Sequence, residues 1–203
     1  MRDMKITVIS GSHRENSQSE RIARYIASDL SKQGAEASVL SLAKNPLPLW
    51  DEGVWGGEPK WEAVWGPISE TLKKSDGFVV VSPEWSGMVP AGLKNFFLLC
   101  GSREVGHKPA MIVSVSSGIG GSYPVAELRQ SSYKNTRIVY IPDHVIVRNA
   151  EAMLVGESPA DDHDAELRKR VHYSLGLLLE YAKALTLVRE SGKVNLKDFP
   201  YGM

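Results

Sequence analysis

Residues 77–82 (GFVVVS) form a nearly continuous apolar run that is rich in β-branched side chains. A half-exposed strand alternates apolar and polar residues, whereas a parallel strand covered by helices on both faces is apolar throughout. Related runs occur at residues 5–10, 37–42 and 110–115 and in a strand that begins with residues 137–141. The pattern predicts a three-layer α/β fold with a parallel sheet centred on residues 77–82.

Helical periodicity fills the intervals between these strands. The first helix carries apolar residues at helical spacing and ends near Gly34, and further helices are predicted at residues 61–75, 91–100 and 124–132 and from Asp161 or Asp162 to Gly192. Five strands alternating with five helices predict one domain over residues 1–203. It includes an irregular excursion at about 45–67 and a polar tail at about 191–203.

Composition excludes several classes of function. The chain has 24 Lys and Arg against 24 Asp and Glu, so it lacks the basic charge of a general nucleic-acid binder or a polybasic membrane-surface protein. Its single cysteine, Cys100, permits neither an internal disulfide nor a four-thiolate metal site within one chain. The apolar run near the amino terminus is too short for a membrane span or a signal-peptide core, which predicts a cytoplasmic protein with small-molecule partners.

The segment after the first strand, residues 10–19 (SGSHRENSQS), combines small hydroxyl residues with Arg14 and leads directly into a helix. Backbone N–H groups at a helix N-terminus, serine hydroxyls and an arginine together favour an anion. The chain lacks both GxxxxGK[ST] and GxGxxG, so a monophosphate fits best. The alternative interpretation is that Ser17 or Ser19 only caps the helix and Arg14 is a solvated surface residue.

Two motifs together resemble the NADPH-dependent FMN reductase family, flavodoxin-like enzymes that include quinone and azo reductases. They are GSxRxxSxS after the first strand and PE(Y/W)xxxxPxxLKN after the third, and the match runs in register from Lys5 to about Asn135. The resemblance implies a flavodoxin-like sandwich with strand order 2-1-3-4-5, bound FMN, and NADPH or NADH as reductant. Departures from the family pattern are Trp85 in place of tyrosine and FFLL after the LKN triplet.

The resemblance also implies which residues bind FMN. The phosphate would be held by residues of the first loop, namely Ser10, Ser12, Arg14, Ser17, Gln18 and Ser19. The flavin would be lined by Pro83, Glu84, Trp85 and Ser86 and reached at its pyrimidine side by the turn containing Ser116, Ser117 and Gly118. Flavin chemistry needs no acid–base side chain, so no catalytic residue is assigned.

The resulting prediction is an FMN-dependent oxidoreductase that passes hydride from NADPH or NADH to a quinone, an azo compound or free flavin. A flavodoxin-type one-electron carrier is the first alternative, although zero net charge disfavours it because such carriers present an acidic face. A non-redox sensor or interaction protein for a phosphate ligand is the second. The resemblance further implies a homodimer or homotetramer, with the excursion and the tail from Val194 as candidate contacts.

The remaining chemistry-bearing residues have structural interpretations. Histidines 107, 144, 163 and 172 lack ligand spacing with acidic partners, so no metal site is predicted. Core packing is preferred for residues 96–99 and burial for Cys100. Helix capping is preferred for the acidic residues at 161, 162 and 164, and holding the adjacent loop and helix for Lys94 and Asn95. For Trp50, Trp55, Trp61 and Trp65, packing and an interface or active-site cover stay open.

Overall fold

A computed structural model describes residues 3–202, so Met1, Arg2 and Met203 lie outside the described residues. Its centre is a sheet of five strands in the order β2-β1-β3-β4-β5. The strands are β1 (Lys5–Ser10), β2 (Glu36–Ser41), β3 (Gly77–Pro83), β4 (Pro109–Val115) and β5 (Val139–Val147). Every neighbouring pair is parallel, so the flavodoxin-like topology is confirmed.

Helices connect the strands and cover both faces of the sheet. They are α1 (Gln18–Lys32), α2 (Gly53–Gly56), α3 (Pro59–Lys74), α4 (Ala91–Leu99), α5 (Ser102–Val105), α6 (Ser122–Gln130) and α7 (Asp162–Glu190). On one face, Ile26 of α1 and Leu178 of α7 are buried with Val79 of β3. On the other face, Leu72 of α3 is buried with Phe78 of β3, and α4 and α6 join the same cluster. None of the helices within residues 3–202 combines the length and the apolar character that a bilayer span requires.

The two strands at the middle of the sheet are inaccessible to solvent. All seven residues of β3 and all seven of β4 are buried. Burying one Val, Leu or Ile side chain contributes about 1.5–3 kcal/mol, so these strands are the main source of the sheet's stability. The central position predicted for residues 77–82 is confirmed.

Two element boundaries differ from the sequence prediction. β5 begins at Val139 and not at Arg137, because Arg137 has a φ of +58°, a left-handed conformation that a strand does not accommodate. The helix predicted at 124–132 begins two residues earlier, since Pro124 is tolerated in the first turn of a helix. That helix ends before Ser132, which has a φ of +61°.

The tryptophan-rich segment is more regular than predicted, because α2 and the first turns of α3 lie within residues 45–67. Trp61 and Trp65 are buried in the core between α3 and the sheet. Trp55 is 79% exposed and meets the ring of Trp50 edge-on, with centroids 4.9 Å apart. Packing therefore accounts for Trp61 and Trp65 and in part for half-buried Trp50, which packs against the same core. For exposed Trp55, an interface or an active-site cover stays open.

The apolar run after the LKN triplet belongs mainly to the core. Phe96, Phe97 and Leu99 are buried, which confirms the packing prediction for them, whereas Leu98 is 65% exposed and the prediction is wrong there. The reason is helical geometry, because Leu98 points away from the face of α4 that packs on the sheet. Cys100 is buried as predicted, and burial raises the pKa of its thiol well above the usual value.

Lys94 and Asn95 hold neighbouring segments together, as predicted. The Asn95 side chain accepts a hydrogen bond from the Trp50 N–H and donates one to the Pro48 carbonyl, both at 2.8 Å. Lys94 forms an ion pair with Glu127 of α6. These contacts fix the segment after β2 and the end of α6 against α4.

The carboxyl-terminal tail folds back onto the segment before β5. Residues 191–202 are described, whereas Met203, which the predicted tail includes, is not. The Arg137 guanidinium donates to the carbonyls of Phe199 at 2.5 Å and Tyr201 at 2.7 Å. Arg137, whose left-handed conformation delays the start of β5, thus also supplies the anchor for the tail.

Candidate functional site

Polar loops meet at the carboxyl edge of the sheet. The first loop (residues 11–17) follows β1, the second (84–90) follows β3, the third (116–121) follows β4 and the fourth (148–161) follows β5. Because β1, β3 and β4 are neighbours, their loops lie side by side at the edge where parallel α/β folds bind ligands. One backbone hydrogen bond ties the start of each of the first three loops to the next strand of the sheet. These bonds are Gly11 N–H to Val81 O at 2.8 Å, Glu84 N–H to Val115 O at 2.9 Å and Ser116 N–H to Val147 O at 2.9 Å.

The first loop presents an anion-binding helix terminus. Ser17 is the N-cap of α1, and its hydroxyl accepts a hydrogen bond from the Glu20 N–H at 3.2 Å. Within the described residues, the backbone N–H groups of Gln18 and Ser19 have no acceptor, and exposed Arg14 has no carboxylate partner. Unpaired N–H groups and the helix dipole at this end of α1 favour a negatively charged group.

The serines predicted for the first loop take different positions. Ser12 is buried and its hydroxyl accepts a hydrogen bond from the Arg14 N–H at 3.2 Å, so it shapes the loop. Ser10 and Ser19 have buried side chains, and the Ser10 hydroxyl has no hydrogen-bond partner within the part of the chain described. Of the predicted set, Arg14, Ser17 and Gln18 are the side chains that reach the surface of the loop.

Glu20 is the acidic residue within the first turn of α1, and its charge is compensated. Glu20 in the first turn of α1 pairs with Arg24 at 2.5 Å and Lys44 at 3.2 Å and accepts a hydrogen bond from Ser41 at 3.0 Å. The Arg24 hydrogen bond is the main cause that lowers the pKa of Glu20, while burial opposes it. The carboxylate is therefore held ionised but neutralised by two cations, which leaves the terminus suitable for an anion.

The second loop holds an aromatic ring against the first. Trp85 and Met88 exchange backbone hydrogen bonds at 3.1 and 2.9 Å around a two-residue turn. Ser86 and Gly87 occupy that turn with φ values of +51° and +70°, the left-handed pair of a type I′ turn. The Trp85 ring contacts His13 edge-on, with centroids 4.6 Å apart. The tight turn thus aims the tryptophan at the first loop.

The third loop accepts the carboxylate of the second. Glu84 follows buried Pro83, and its side chain accepts a hydrogen bond from the Gly121 N–H. A Cβ at Gly120 would overlap the Glu84 carboxylate, and Gly121 has a φ of +101° that favours glycine. The backbone conformation therefore favours glycine at 121, and the absence of a side chain at Gly120 leaves room for the Glu84 carboxylate.

The fourth loop, which sequence reasoning did not assign to the site, holds the third in place. Asn149 N–H donates to the Gly118 carbonyl at 2.9 Å, and Ala150 N–H donates to the Ser116 carbonyl at 3.1 Å. Ser117 and Gly118 are exposed at the tip of the third loop. The tip consequently leaves backbone groups and the Ser117 hydroxyl open at the surface, and its contact with the flavin stays a prediction.

Arg21 of α1 is a further residue that the sequence does not reveal. Its guanidinium donates to the Gln18 side chain at 2.7 Å and to the carbonyls of Leu154 at 2.8 Å, Ala150 at 2.5 Å and Met153 at 2.9 Å. The three carbonyls lie 129 to 133 positions away along the chain, so no local spacing indicates the contact.

Two more side chains hold the site from outside. Arg148 donates through Nε to the carbonyls of Ile119 at 2.7 Å and Gly120 at 3.0 Å. Glu127 of α6 accepts a hydrogen bond from the Val89 N–H at 2.7 Å and so fixes the end of the second loop. Neither residue belongs to a recognisable motif.

The part of the sequence that forms these strands and loops matches the model of a known protein family. The sequence model described as NADPH-dependent FMN reductase matches residues 4–152, a range that contains β1 to β5 and the first three loops entire. The chain belongs to the NADPH-dependent FMN reductase family. Its cofactor is FMN, with NADPH or NADH as reductant.

Several proteins of known name are similar to this chain in sequence or in structure. A quinone reductase from Pseudomonas putida is 30% identical over 171 residues, which cover 81% of this chain and 85% of the relative. An NADPH azoreductase from Bacillus sp. (strain OY1-2) is 29% identical over 146 residues, covering 71% of this chain and 76% of the relative. The structure of the flavoenzyme NAD(P)H:(acceptor) oxidoreductase FerB from Paracoccus denitrificans has a TM-score of 0.72 at 19% identity and covers 89% of this chain and 98% of that one, which shows the shared fold.

The residues of this family member fit an FMN molecule. The unpaired N–H groups of the first turn of α1 and exposed Arg14 suit its phosphate. Trp85 and Met88, which is 53% exposed, suit a planar tricyclic ring, and the backbone of the third loop suits the polar edge of that ring. Gly118 at the tip of the third loop has no side chain and open space on the side where a Cβ would stand. Among the described residues, no group of three His, Cys, Asp or Glu side chains is placed to hold a metal ion.

Proposed function

We propose that this protein is an FMN-dependent NAD(P)H oxidoreductase whose acceptor is a small molecule such as a quinone, an azo compound or free flavin. When bound, FMN supplies the chemistry, since it accepts a hydride from the nicotinamide and passes reducing equivalents to the acceptor. The observation that carries the proposal is the unpaired N-terminus of α1 beside the loops that follow β3 and β4.

The protein side chains bind and orient rather than transfer protons. Arg14 and the Ser17 hydroxyl would donate to the phosphate, together with the Gln18 amide nitrogen, because Arg21 occupies the amide oxygen. Trp85 would contact the ring and Glu84 would keep the third loop in place behind it. The proposal assigns no catalytic side chain.

An apolar rim surrounds the site and supports a planar, weakly polar acceptor. Ile119 in the third loop is 85% exposed, Tyr123 at the start of α6 is 68% exposed, and Met88 lies in the second loop. Exposed apolar side chains at the mouth of a polar site favour contact with an apolar ligand. The relatives named for quinone and azo reduction support the same acceptor classes for this chain.

We also propose a homodimer or homotetramer in the cytoplasm. The Trp50–Trp55 pair and the tail from Val194 are the proposed contacts, since Trp55, Phe199 and Tyr201 are large apolar side chains that stay exposed. A reducing compartment agrees with the single buried cysteine, which has no disulfide partner within the chain.

The deciding experiment measures the visible spectrum of the protein after it is mixed with FMN and desalted, followed by anaerobic addition of NADPH or NADH. We expect a retained flavin band that the reduced nicotinamide bleaches, with turnover on adding a quinone. If the flavin is bleached but no small acceptor is turned over, the result would favour a flavodoxin-type one-electron carrier. If no flavin is retained, it would favour a non-redox sensor or interaction protein for a phosphate ligand.

Arg14→Ala tests the proposed phosphate contact. We expect the FMN dissociation constant to rise about tenfold, because a hydrogen bond to a charged group contributes roughly 1.5–3 kcal/mol and 1.4 kcal/mol is tenfold in affinity. Arg103→Ala is the matched control, since it removes the same charge from exposed Arg103 in α5, which precedes the amino end of β4 and so lies away from the edge that carries the site. Equal affinity in both variants and the unmodified protein would remove Arg14 from the site.

A further inference from the structure

The guanidinium of Arg21 joins two segments that are remote in sequence. Through Nε it donates to the side-chain oxygen of Gln18 at the start of α1, at 2.7 Å. Through its two terminal nitrogens it donates to the carbonyls of Ala150, Met153 and Leu154, at 2.5 to 2.9 Å. One side chain therefore connects the phosphate end of the site to the fourth loop.

The fourth loop connects in turn to the third loop through the same residue that Arg21 contacts. Ala150 receives the Arg21 hydrogen bond at its carbonyl and donates its N–H to the Ser116 carbonyl at 3.1 Å. Its neighbour Asn149 donates to the Gly118 carbonyl at 2.9 Å from a left-handed conformation with a φ of +48°. A continuous chain of hydrogen bonds thus runs from Gln18 through Arg21 to the tip of the third loop.

The far side of the fourth loop is fixed to α7. Leu154 N–H donates to the buried Asp164 carboxylate at 2.8 Å, and Asp164 also pairs with Arg168 at 3.0 Å. Leu154 itself has a φ of +56°. The carbonyls that Arg21 contacts are therefore fixed in position, because they belong to a loop that is hydrogen-bonded both to the third loop and to α7.

We propose that Arg21 is a positioning residue that fixes the third loop relative to the first. The two loops then bind the phosphate end and the ring end of the flavin at a constant distance from each other. This inference rests on the proposed function. Arg21 would touch no atom of the cofactor, and its effect would pass through Gln18 at one end and Ala150 at the other.

The alternative is that Arg21 only stabilises the fold, and ligand choice separates the two cases. Riboflavin has the ring of FMN without the phosphate, so it reports on the third loop independently of the first. A residue that acts only through overall stability shifts the midpoint of thermal unfolding without changing the affinity of the folded protein for either flavin.

The experiment compares Arg21→Gln with Lys32→Gln, which removes the same charge from the last turn of α1, where Lys32 is exposed. Dissociation constants of FMN and riboflavin are measured by quenching of flavin fluorescence, with thermal unfolding of each protein alone. For Arg21→Gln we expect FMN affinity to fall about ten- to a hundredfold and riboflavin affinity about three- to tenfold, while Lys32→Gln changes each by roughly twofold or less. Arg21→Lys keeps the charge but not the fork of donors, and we expect it to fall between the two.

Loss of FMN affinity with unchanged riboflavin affinity would overturn the coupling, because Arg21 would then act on the phosphate loop alone. Unchanged affinity for both flavins, at any unfolding temperature, would assign Arg21 to fold stability. If Arg21→Gln does not fold, the same comparison is made with Arg21→Lys. Failure of the unmodified protein to bind either flavin would instead contradict the proposed function.

Discussion

At the scale of single residues, the site depends on glycines whose conformation no other residue adopts without strain. Gly121 has a φ of +101°, its N–H donates to Glu84, and a Cβ there would overlap Cγ2 of Ile146 in β5. Gly34 at the end of α1 also has a positive φ, of +84°, but faces open space. Substitution at Gly34 thus introduces backbone strain alone, whereas substitution at Gly121 introduces both backbone strain and steric overlap.

Gly121→Ala should therefore cost more than Gly34→Ala. We expect Gly34→Ala to lower the free energy of unfolding by about 1 kcal/mol and Gly121→Ala by about 2–4 kcal/mol, because overlap with β5 adds to the strain. FMN affinity should fall only in Gly121→Ala, since only that residue belongs to the third loop. Urea unfolding and flavin titration measure both effects, and equal costs at the two positions would contradict the steric argument.

At the scale of elements, α7 begins in a network that also holds the fourth loop. Asp161 is its N-cap and accepts a hydrogen bond from the Asp164 N–H at 2.8 Å, so the predicted capping role is confirmed for Asp161. The Asp164 side chain instead accepts hydrogen bonds from the preceding loop. Asp164 is fully buried, and burial alone would raise its pKa. Hydrogen bonds from the Leu154 and Ala160 N–H groups and from Arg168 outweigh that effect, and the pKa is lowered.

Asp164→Asn tests this network through its pH dependence. A carboxyl whose pKa is lower in the folded state contributes stability above its unfolded value of about 3.9 and loses it as the pH falls through the folded value. We expect Asp164→Asn to lower the free energy of unfolding by about 2–4 kcal/mol at pH 7, with the difference from the unmodified protein shrinking below about pH 4. Asp162→Asn, in the same turn but exposed, is the control for helix-dipole effects. A difference that stays constant down to low pH would contradict the role of the ionised carboxylate.

At the scale of the whole molecule, exposed apolar side chains gather around one cavity. The cavity has a volume of about 650 Å³ and lies beside Leu98, the Trp50–Trp55 pair and Tyr201 of the tail. Apolar patches of this kind on a protein surface mark contacts with a partner, and a second copy of the chain is the proposed one.

Leu98→Glu should disrupt such a contact, since Leu98 is exposed in the single chain and its replacement leaves the fold intact. We expect size-exclusion chromatography with light scattering to show an oligomer for the unmodified protein and a smaller species for the variant. Leu187→Glu on α7 is the control, because Leu187 is similarly exposed at 72% but lies on the opposite face of the sheet. A monomer in every sample would remove the oligomer proposal.

The sequence was sufficient for the strands, apart from the start of β5, and for the first three loops at the carboxyl edge of the sheet, because apolar runs and glycine-, serine- or proline-rich segments are local signals. The two interpretations of Ser17 also prove compatible, since its hydroxyl caps α1 while its proton stays available for a ligand. Arg21 could not be found in this way, since its partners lie in the fourth loop and only the folded chain brings them together. The short helices α2 and α5 have four residues each, too few for a periodic pattern.

The loops are attached to the sheet by hydrogen bonds between main-chain atoms, such as Glu84 N–H to Val115 O and Ser116 N–H to Val147 O. Any amino acid except proline supplies the same donor, and every amino acid supplies the acceptor. Loop side chains can therefore change over generations without loosening the attachment of the loop. In such a fold, substitutions that change which acceptor is bound need not change the position of the loops. New acceptors can therefore be acquired while the cofactor site is retained.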